Sequence, residues 1–378
     1  MRVALICSEK LPVPPVRGGA IQQYIEGILP YLAQEHEITV LGIADRDLPE
    51  QEKQGRITYL RFRTGSRTDY IKSVAGALAN GQHDVIHTFN RPRALIEYCR
   101  AAPEARHILS VHNDMFAPDK IGPEEAGFCL EHTEVVVTVS DYIRKNIENL
   151  YPRARGKAVT VYSGVDPERF RPGWTPEGLK LTSSVRERYG IGYARVILLV
   201  TRFSEKKGAH VVIKAMEQVL REDPGVVLLV VGSRWYGSNK VNDYVAQLYN
   251  QAQVLGNQVI FTGFVPPVRM PEYFASGDIF VCASQWQEPL ARVHYEAMAA
   301  GLPIITTNRG GNPEVVAGKG NGIILCGYDQ PEDFAWAIKH LLANPAIARE
   351  MGKKGRQLAE TVYSWARVAR DILKLYAK

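Results

Sequence analysis

The sequence predicts an α/β protein made of two doubly wound parallel sheets. Short apolar strands alternate with amphipathic stretches along its 378 residues, and the regular pattern lapses once, between about 163 and 190. The apolar runs are continuous and rich in β-branched residues, which is typical of parallel strands buried on both faces. Strand–helix–strand repetition builds doubly wound sheets, and this length allows two domains with separate cores.

The first half of the chain has the pattern of a Rossmann-like domain, which we assign to residues 1–165. A helical pattern, IQQYIEGILPYLAQ (21–34), lies between the first two predicted strands. The predicted strands are VALIC (3–7), HEITVLG (36–42), DVIHTF (84–89), HILSV (107–111) and VVVTV (135–139).

A Gly- and Pro-rich stretch, SGVDPERFRPGWTPEG, predicts a linker over residues 166–190. A second Rossmann-like domain is assigned to 191–360, facing the first across a cleft. Its predicted strands are RVILLV (195–200), VVLLVVG (226–232), QVIFTG (258–263), DIFVCA (278–283) and LPIITT (302–307). The closing amphipathic segment, 361–378, is predicted to be a helix that either caps the second domain or crosses back onto the first.

The composition is that of a soluble globular protein, with 46% hydrophobic and 23% charged residues. No apolar run approaches the roughly 20 residues that span a bilayer. The opening MRVALICSEK becomes polar too soon for a signal peptide, and we interpret it as a buried strand. Five scattered cysteines without a C-x-x-C pair favour a reducing cytoplasm over disulfides or zinc. The net charge of +6 is best explained by solvated basic faces; among functional interpretations, it suits anionic small molecules or polymers better than nucleic acid, for which no binding signature is present.

Two loops after predicted first strands could bind anions. Gly18 and Gly19 precede a helix, where backbone amides can approach a phosphate, although a plain turn is an equal alternative. The loop is not G-x-G-x-x-G, so ordinary dinucleotide binding is not supported. In VTRFSEKKG, Arg202 and Lys207 place two cations before Gly208, which opens a helix. This arrangement suits a diphosphate.

Glu288 and Glu296 stand eight residues apart in QWQEPLARVHYEAMAAGLPIITT (285–307). Pro289 favours a helix that begins there, which would separate the carboxylates by roughly 12 Å along its axis. That is about the spacing of the two sugars in a nucleotide diphospho-sugar, and carboxylates accept hydrogen bonds from paired hydroxyls. The alternative is an exposed helix glutamate and a favourable charge at a helix start.

Taken together, these motifs resemble the retaining glycosyltransferases of family 4, which have the GT-B fold. The resemblance covers essentially the whole chain and is closest to the spore-coat-associated glycosyltransferases of Bacillus-like bacteria. The segments that carry it are the Gly-Gly loop, R-x4-KG, E-x7-E before EAMAAGLPII, VTVSDYIRKNI (137–147), VYSGVDPERF (161–170) and GGNPEVV (310–316).

The resemblance implies specific roles for individual residues. Arg202 and Lys207 would hold the donor diphosphate, Glu296 the ribose, and Glu288 the transferred sugar. The implied catalytic residues are Arg202, Lys207, Glu288 and His112. The implied donor-binding residues are Gly18, Gly19, Arg202, Lys207, Phe264, Val265, Glu288, Arg292, Val293 and Glu296. His112 would lie near the sugar and acceptor, Gly19 and the backbone at Arg292 and Val293 near phosphate, and Phe264 and Val265 near the base.

The implied activity is transfer of a hexose-type sugar from a nucleotide diphospho-sugar, with retention of configuration. A UDP-sugar is favoured, no metal or other cofactor is expected, and the acceptor is an unknown glycan, lipid or small molecule. The expected setting is cytoplasmic, with peripheral or spore-coat association and a role in envelope or coat glycan synthesis. A sugar-nucleotide epimerase and a non-catalytic coat protein are the alternatives.

Three features depart from, or compete with, this interpretation. Family members mostly have Glu-Gly/Ser-Phe-Gly-Leu where this chain has Glu288-Pro-Leu-Ala-Arg292. This difference leaves the identity of the donor sugar open, more than the activity itself. ADRD (44–47) contains D-x-D, a metal-binding pattern of another glycosyltransferase fold, but the Arg202–Lys207 pair already supplies positive charge. His294 lies about 200° around a helix from Glu296, which favours a packing role.

Overall fold

The computed structural model describes residues 1–234 and 241–377. The chain forms two compact units. The first comprises Met1–Gly164 with Trp365–Lys378, and the second comprises Val165–Ser364.

The first unit contains an eight-stranded sheet. Its strands are β1 (Arg2–Ile6), β2 (Glu37–Ile43), β3 (Gln51–Gln54), β4 (Ile57–Phe62), β5 (Val85–Phe89), β6 (Arg106–Val111), β7 (Val135–Thr138) and β8 (Ala158–Thr160). The order is β3-β4-β2-β1-β5-β6-β7-β8, and all neighbours are parallel except β3 and β4. Val3 of β1 lies opposite Ile38 and Val85 and is fully buried, as expected for a central strand.

Five helices of this unit follow its strands along the chain: α1 (Ala20–Glu35), α2 (Arg67–Asn80), α3 (Leu95–Ala101), α4 (Pro123–His132) and α5 (Asp141–Leu150). α1 buries Ile21, Ile25, Ile28 and Leu32, the i, i+4, i+7 and i+11 positions of one helical face. This apolar face packs against the core strands of the sheet.

The second unit contains a six-stranded, all-parallel sheet. Its strands are β9 (Arg195–Val200), β10 (Val226–Val231), β11 (Val259–Phe261), β12 (Ile279–Cys282), β13 (Ile304–Thr307) and β14 (Gly322–Leu325), in the order β11-β10-β9-β12-β13-β14. Its helices are α6 (Pro176–Tyr189), α7 (Ala209–Glu222), α8 (Asp243–Gln253), α9 (Met270–Ala275), α10 (Val293–Ala299), α11 (Pro331–Ala343) and α12 (Pro345–Thr361).

The prediction of two doubly wound parallel sheets is confirmed, and every predicted strand is present to within one or two residues. The predicted linker over 166–190 differs, because α6 lies inside it and belongs to the second unit. The Thr175 hydroxyl caps α6 by accepting a hydrogen bond from the Gly178 amide at 3.0 Å. Gly178 lies against the Pro172 carbonyl, where a Cβ would come within 1.8 Å. Glycine and proline here mark a tight helix start.

The closing helix, α13 (Trp365–Tyr376), was predicted either to cap the second domain or to cross back onto the first. It packs against α1 in the first unit. The Trp365 ring fills the space that a Cβ at Gly27 or Gly164 would occupy. The Tyr376 hydroxyl lies 2.7 Å from Nδ1 of the buried His87. No described helix has the length and apolarity that a bilayer span requires.

The order of strands reverses between β1 and β5 in the first unit and between β9 and β12 in the second. Ligands of open α/β sheets bind beyond the carboxyl ends of the strands at such a reversal. In the first unit the loops after β1 and β5, and in the second unit the loops after β9 and β12, are therefore where each sheet is expected to bind a ligand.

Candidate functional site

In the second unit, the loops after β9 and β12 are joined by direct contacts. Gly208 has φ of +71°, and a Cβ there would lie 2.0 Å from the Ala283 carbonyl oxygen. The amide of Gln285 donates to the Lys206 carbonyl at 2.8 Å. Only glycine at position 208 allows this approach, which brings Lys207 towards the segment containing Glu288.

Three donors converge on one carboxylate oxygen of Glu288. Its Oε2 accepts from Lys207 Nζ at 2.6 Å, Trp286 Nε1 at 2.7 Å and Ser284 Oγ at 3.0 Å. Glu288 is only 7% exposed, and the Lys207 side chain is 18% exposed. The result is a buried, charge-assisted hydrogen-bond cluster that holds the carboxylate in one orientation.

The electrostatic balance at Glu288 favours the ionised form. Burial alone raises its pKa, but the charge of Lys207 and the hydrogen bonds from Lys207, Trp286 and Ser284 bring the pKa below its usual value. The carboxyl is therefore an acceptor at neutral pH, able to take hydrogen bonds from hydroxyl groups.

The loop after β13, which contains Gly310 and Gly311, fixes the backbone of Glu288. Gly310 has φ of +59°, and a Cβ there would lie 1.9 Å from the Glu288 carbonyl oxygen. That oxygen accepts a hydrogen bond from the Gly311 amide at 2.8 Å. The Asn312 side chain accepts from the Ala291 amide at 3.0 Å. Contacts with Gly310, Gly311 and Asn312 thus fix the backbone of residues 288–291.

These contacts correct the predicted helix. α10 begins at Val293, not at Pro289, and Glu288 lies in a loop. In a helix starting at Pro289, the Glu288 carbonyl would accept a hydrogen bond from an amide of that helix. Here the carbonyl accepts from the Gly311 amide instead, and the Ala291 amide donates to the Asn312 side chain. The estimate of roughly 12 Å along a helix axis therefore does not apply.

Glu296 lies in α10 and is 8% exposed, so the alternative of an ordinary exposed helix glutamate is wrong. Burial raises its pKa, and the charges of Arg292 and Arg169 oppose that rise. Arg292 Nη2 lies 3.7 Å from Glu296 Oε1. Arg292, the residue that departs from the family pattern, thus forms an ion pair with Glu296.

His294 packs in the interior, as the sequence indicates. Its Nδ1 lies 2.9 Å from the Ala291 carbonyl and its Nε2 lies 2.9 Å from the Thr306 hydroxyl. The carbonyl can only accept, so Nδ1 carries the proton and Nε2 accepts from the hydroxyl. Burial lowers the pKa of His294 to about 4, which keeps the ring neutral.

Three further predicted donor residues lie on loops at the same edge of this sheet. Arg202 is half-buried after β9, and its carbonyl accepts from the Ser204 amide at 3.0 Å. Phe264 and Val265 follow β11, just after Gly263 bridges to Gly232. Of the predicted site residues, the structure thus pairs Lys207 with Glu288 and Arg292 with Glu296.

In the first unit, Gly18 and Gly19 have φ of +90° and +104° and precede α1. A Cβ at Gly19 would lie 2.1 Å from Gln22 Oε1, and Gln22 Nε2 donates to the Leu11 carbonyl at 3.0 Å. The positive φ values explain the two glycines, since both would strain any other residue. Gln22 anchors the loop that they end.

The D-x-D carboxylates bond to the residue that precedes this Gly-Gly pair. Arg17 donates to Asp45 from Nε at 3.0 Å and from Nη2 at 2.8 Å, and it also pairs with Asp47. Within residues 1–234 and 241–377, no group of three or more His, Cys, Asp or Glu side chains has the geometry of a metal site.

His112 follows β6 in the first unit and is half-buried. Its ring meets Tyr24 edge-on with centroids 4.8 Å apart, and Phe89 lies 5.8 Å away. The aromatic residues come from α1 and β5, so the ring is fixed by two different elements.

Sequence reasoning missed Ser284 and Trp286 as partners of Glu288, and Asn312 as a support of its loop. The signal available was their position, directly after a buried strand and two to four residues from a candidate glutamate. Nothing in the spacing reveals that their donors point at one oxygen.

Two family models match the chain. The model described as Glycosyltransferase Family 4 matches residues 18–169, and that described as Glycosyl transferases group 1 matches residues 185–358. Spore coat protein SA of Bacillus subtilis is 43% identical over 378 residues, 100% of both proteins. Putative glycosyltransferase YtcC of the same species is 38% identical over 376 residues, covering 100% of this chain and 92% of YtcC.

Among solved structures, HepE of Anabaena in complex with UDP and glucose matches with a TM-score of 0.80 and 20% identity, over 100% of both chains. At that identity the likeness concerns the fold. The two family models and the two Bacillus relatives show the family as well, and the likeness to spore coat protein SA extends over the full length of the chain. The chain therefore belongs to the glycosyltransferases of GT-B fold, with family 4 and group 1 domains in tandem.

Proposed function

We propose that this glycosyltransferase moves a hexose-type sugar from a nucleotide diphospho-sugar, with UDP-sugars favoured, to an acceptor hydroxyl with retention of configuration. The observation that carries the proposal is the Lys207–Glu288 cluster beyond the β9–β12 reversal. There a half-buried ammonium lies 2.6 Å from a buried carboxylate oriented by two further donors. A cation for a phosphate and an acceptor for sugar hydroxyls thus lie side by side.

In the proposed reaction, the bond between the anomeric carbon and the diphosphate oxygen breaks, and the oxygen keeps the electron pair. Lys207 and Arg202 stabilise this developing charge. The acceptor oxygen bonds to the anomeric carbon from the same face, and its proton passes to the departing phosphate oxygen. Glu288 orients the sugar through its hydroxyls and Glu296 binds the ribose, with no metal ion required.

Support for the donor class comes from relatives. HepE was crystallised with UDP and with UDP-glucose, while another relative, from Mycolicibacterium smegmatis, is named a GDP-mannose-dependent mannosyltransferase and is 29% identical over 374 residues. Thermal-shift measurements with UDP-, GDP- and ADP-sugars would rank the donors, because a ligand that binds the folded state raises Tm by mass action.

Activity is tested by measuring donor hydrolysis and transfer in the wild type and in Lys207→Ala and Glu288→Ala. Lys206→Ala is the matched control, since Lys206 is exposed on the same loop. We expect large losses in the first two variants only. NMR of the product's anomeric proton tests retention, and a trapped glycosyl-enzyme would contradict the proposed front-face reaction.

The relationship to spore coat protein SA favours one second candidate, a coat protein that keeps the fold without turnover. Equal, null rates in the wild type, Lys207→Ala and Glu288→Ala would favour it. Incubating the donor alone and finding an altered sugar isomer would instead favour the epimerase alternative.

A further inference from the structure

Asn90 has a backbone conformation that side chains rarely adopt. It follows β5 directly, is 3% exposed and has φ of +59°. Within the described part of the chain it is the one non-glycine residue with positive φ. Such strain persists only where the surroundings impose it, and it is concentrated at functional sites. Asparagine tolerates this region better than most residues.

Asn90 is bonded to the strand beside it and to the residue after it. Its amide donates to the Ser110 carbonyl at 2.7 Å, and its carbonyl accepts from Arg91 Nη1 at 2.7 Å. Arg91 in turn forms a two-pronged pair with Glu9, at 2.7 and 3.0 Å, in the loop after β1. The residue is therefore fixed at the β1–β5 reversal.

The Asn90 side chain reaches the loop after β6. Its Oδ1 accepts from the backbone amides of His112 at 3.0 Å and Asn113 at 3.2 Å. One buried carboxamide oxygen thus holds two consecutive amides just where β6 has ended. The preceding residue, Phe89, lies beside the His112 ring, and Tyr24 meets that ring edge-on.

We propose that Asn90 is a positioning residue for His112. It fixes the backbone from which the imidazole projects, while Phe89 and Tyr24 limit how the ring turns. The proposal rests on the proposed function, in which His112 lies near the transferred sugar and the acceptor. Asn90 acts through His112 and is not assigned a contact with substrate.

Two substitutions separate the side-chain bonds from the backbone strain. Asn90→Gly keeps the positive φ without penalty but removes the carboxamide. Asn90→Asp keeps an acceptor oxygen and tolerates the same φ. We expect Asn90→Gly to lower kcat by about 10- to 100-fold, since small misplacements of a catalytic group have effects of that size. Tm should also fall, because the backbone amides of His112 and Asn113 lose their buried acceptor. Asn90→Asp should restore most of the activity.

A double-mutant cycle with His112→Ala tests whether the effect passes through His112. If it does, adding Asn90→Gly to His112→Ala lowers kcat no further. Hydrogen exchange provides a readout independent of turnover: the amides of His112 and Asn113 should lose protection in Asn90→Gly and keep it in Asn90→Asp, while β5 and β6 stay protected.

The outcomes distinguish a failure of the positioning role of Asn90 from a failure of the proposed function. An active wild type whose Asn90→Gly variant keeps full kcat, keeps amide protection, or loses activity additively with His112→Ala would overturn the positioning role alone. A wild type with neither transfer nor donor hydrolysis would overturn the proposed function and, with it, this role.

Discussion

Replacing Lys207 with methionine leaves the Glu288 carboxylate buried without its charged partner. At 2.6 Å and an effective dielectric constant of about 20, the attraction between the two charges is roughly 6 kcal/mol, which offsets the desolvation of both groups. Removing one partner of a buried pair typically destabilises by about 3–5 kcal/mol. Trp286 and Ser284 still donate to Glu288, so we expect the lower end, about 3 kcal/mol.

The assay is thermal unfolding by calorimetry at pH 7.5. For a unit of this size, residues 165–364, about 3 kcal/mol corresponds to a decrease in Tm of roughly 6–12 °C. Lys206→Met is the control: Lys206 is exposed and its ammonium lies 5.4 Å from the Trp286 ring centroid, so the variant should lose no more than about 1 kcal/mol. Lys207→Met combined with Glu288→Gln should recover much of the loss, since the unpaired charge is gone.

The loss should shrink as the pH falls. In the wild type the folded pKa of Glu288 is below 4.5, so its stabilising contribution is present above pH 4.5 and is lost only below it. In Lys207→Met, burial without the lysine raises the folded pKa above 4.5, so the variant gains stability relative to the wild type as the pH falls from 7.5 towards 4.5. A variant as stable as the wild type, or a difference in Tm that is constant over this range, would refute the reasoning.

Three further predictions concern stability, and thermal unfolding measures each. Trp286→Phe keeps an aromatic ring but removes the indole donor to the Glu288 carboxylate, so it should destabilise by about 1–3 kcal/mol; an unchanged Tm would contradict the contact. Gly310→Ala should destabilise by about 3 kcal/mol or more through its clash with the Glu288 carbonyl, whereas Gly318→Ala, with similar φ and open space around it, should lose only about 1 kcal/mol. Equal losses would rule the clash out. Tyr24→Phe removes a buried hydroxyl that has no hydrogen-bond partner among the described residues, so it should be neutral or stabilise by about 1–3 kcal/mol, and a clear destabilisation would indicate a partner.

The sequence predicted the central strands because they are buried on both faces. RVILLV coincides with β9, and the core strand β1 is shifted by one residue. The edge strands β3, β8 and β14 were missed, whereas the edge strand β11 was predicted. β3 has mostly exposed residues, β8 has only three residues, and β14 has four residues of which one is buried. β4 has alternating burial, which differs from the continuous apolar runs used to find the others.

The candidate site was predictable as a set of residue types at strand ends, but its geometry was not. Glu288 and Lys207 are 81 residues apart in the chain, and only the adjacency of β9 and β12 makes them neighbours. The start of α10 was wrong because Pro289 is compatible with a helix start, and local preference gave no sign that Gly311 and Asn312 take the groups a helix would need.

The return of α13 makes the first unit depend on residues that follow the whole second unit in the chain. Trp365 and Tyr376 complete the packing of α1 and the hydrogen bonding of His87, whereas the core of residues 165–364 is built without α13. A released chain truncated after Ser364 should therefore protect the second unit from protease and leave the first one susceptible, so the unit that is translated first is the one that the truncation damages.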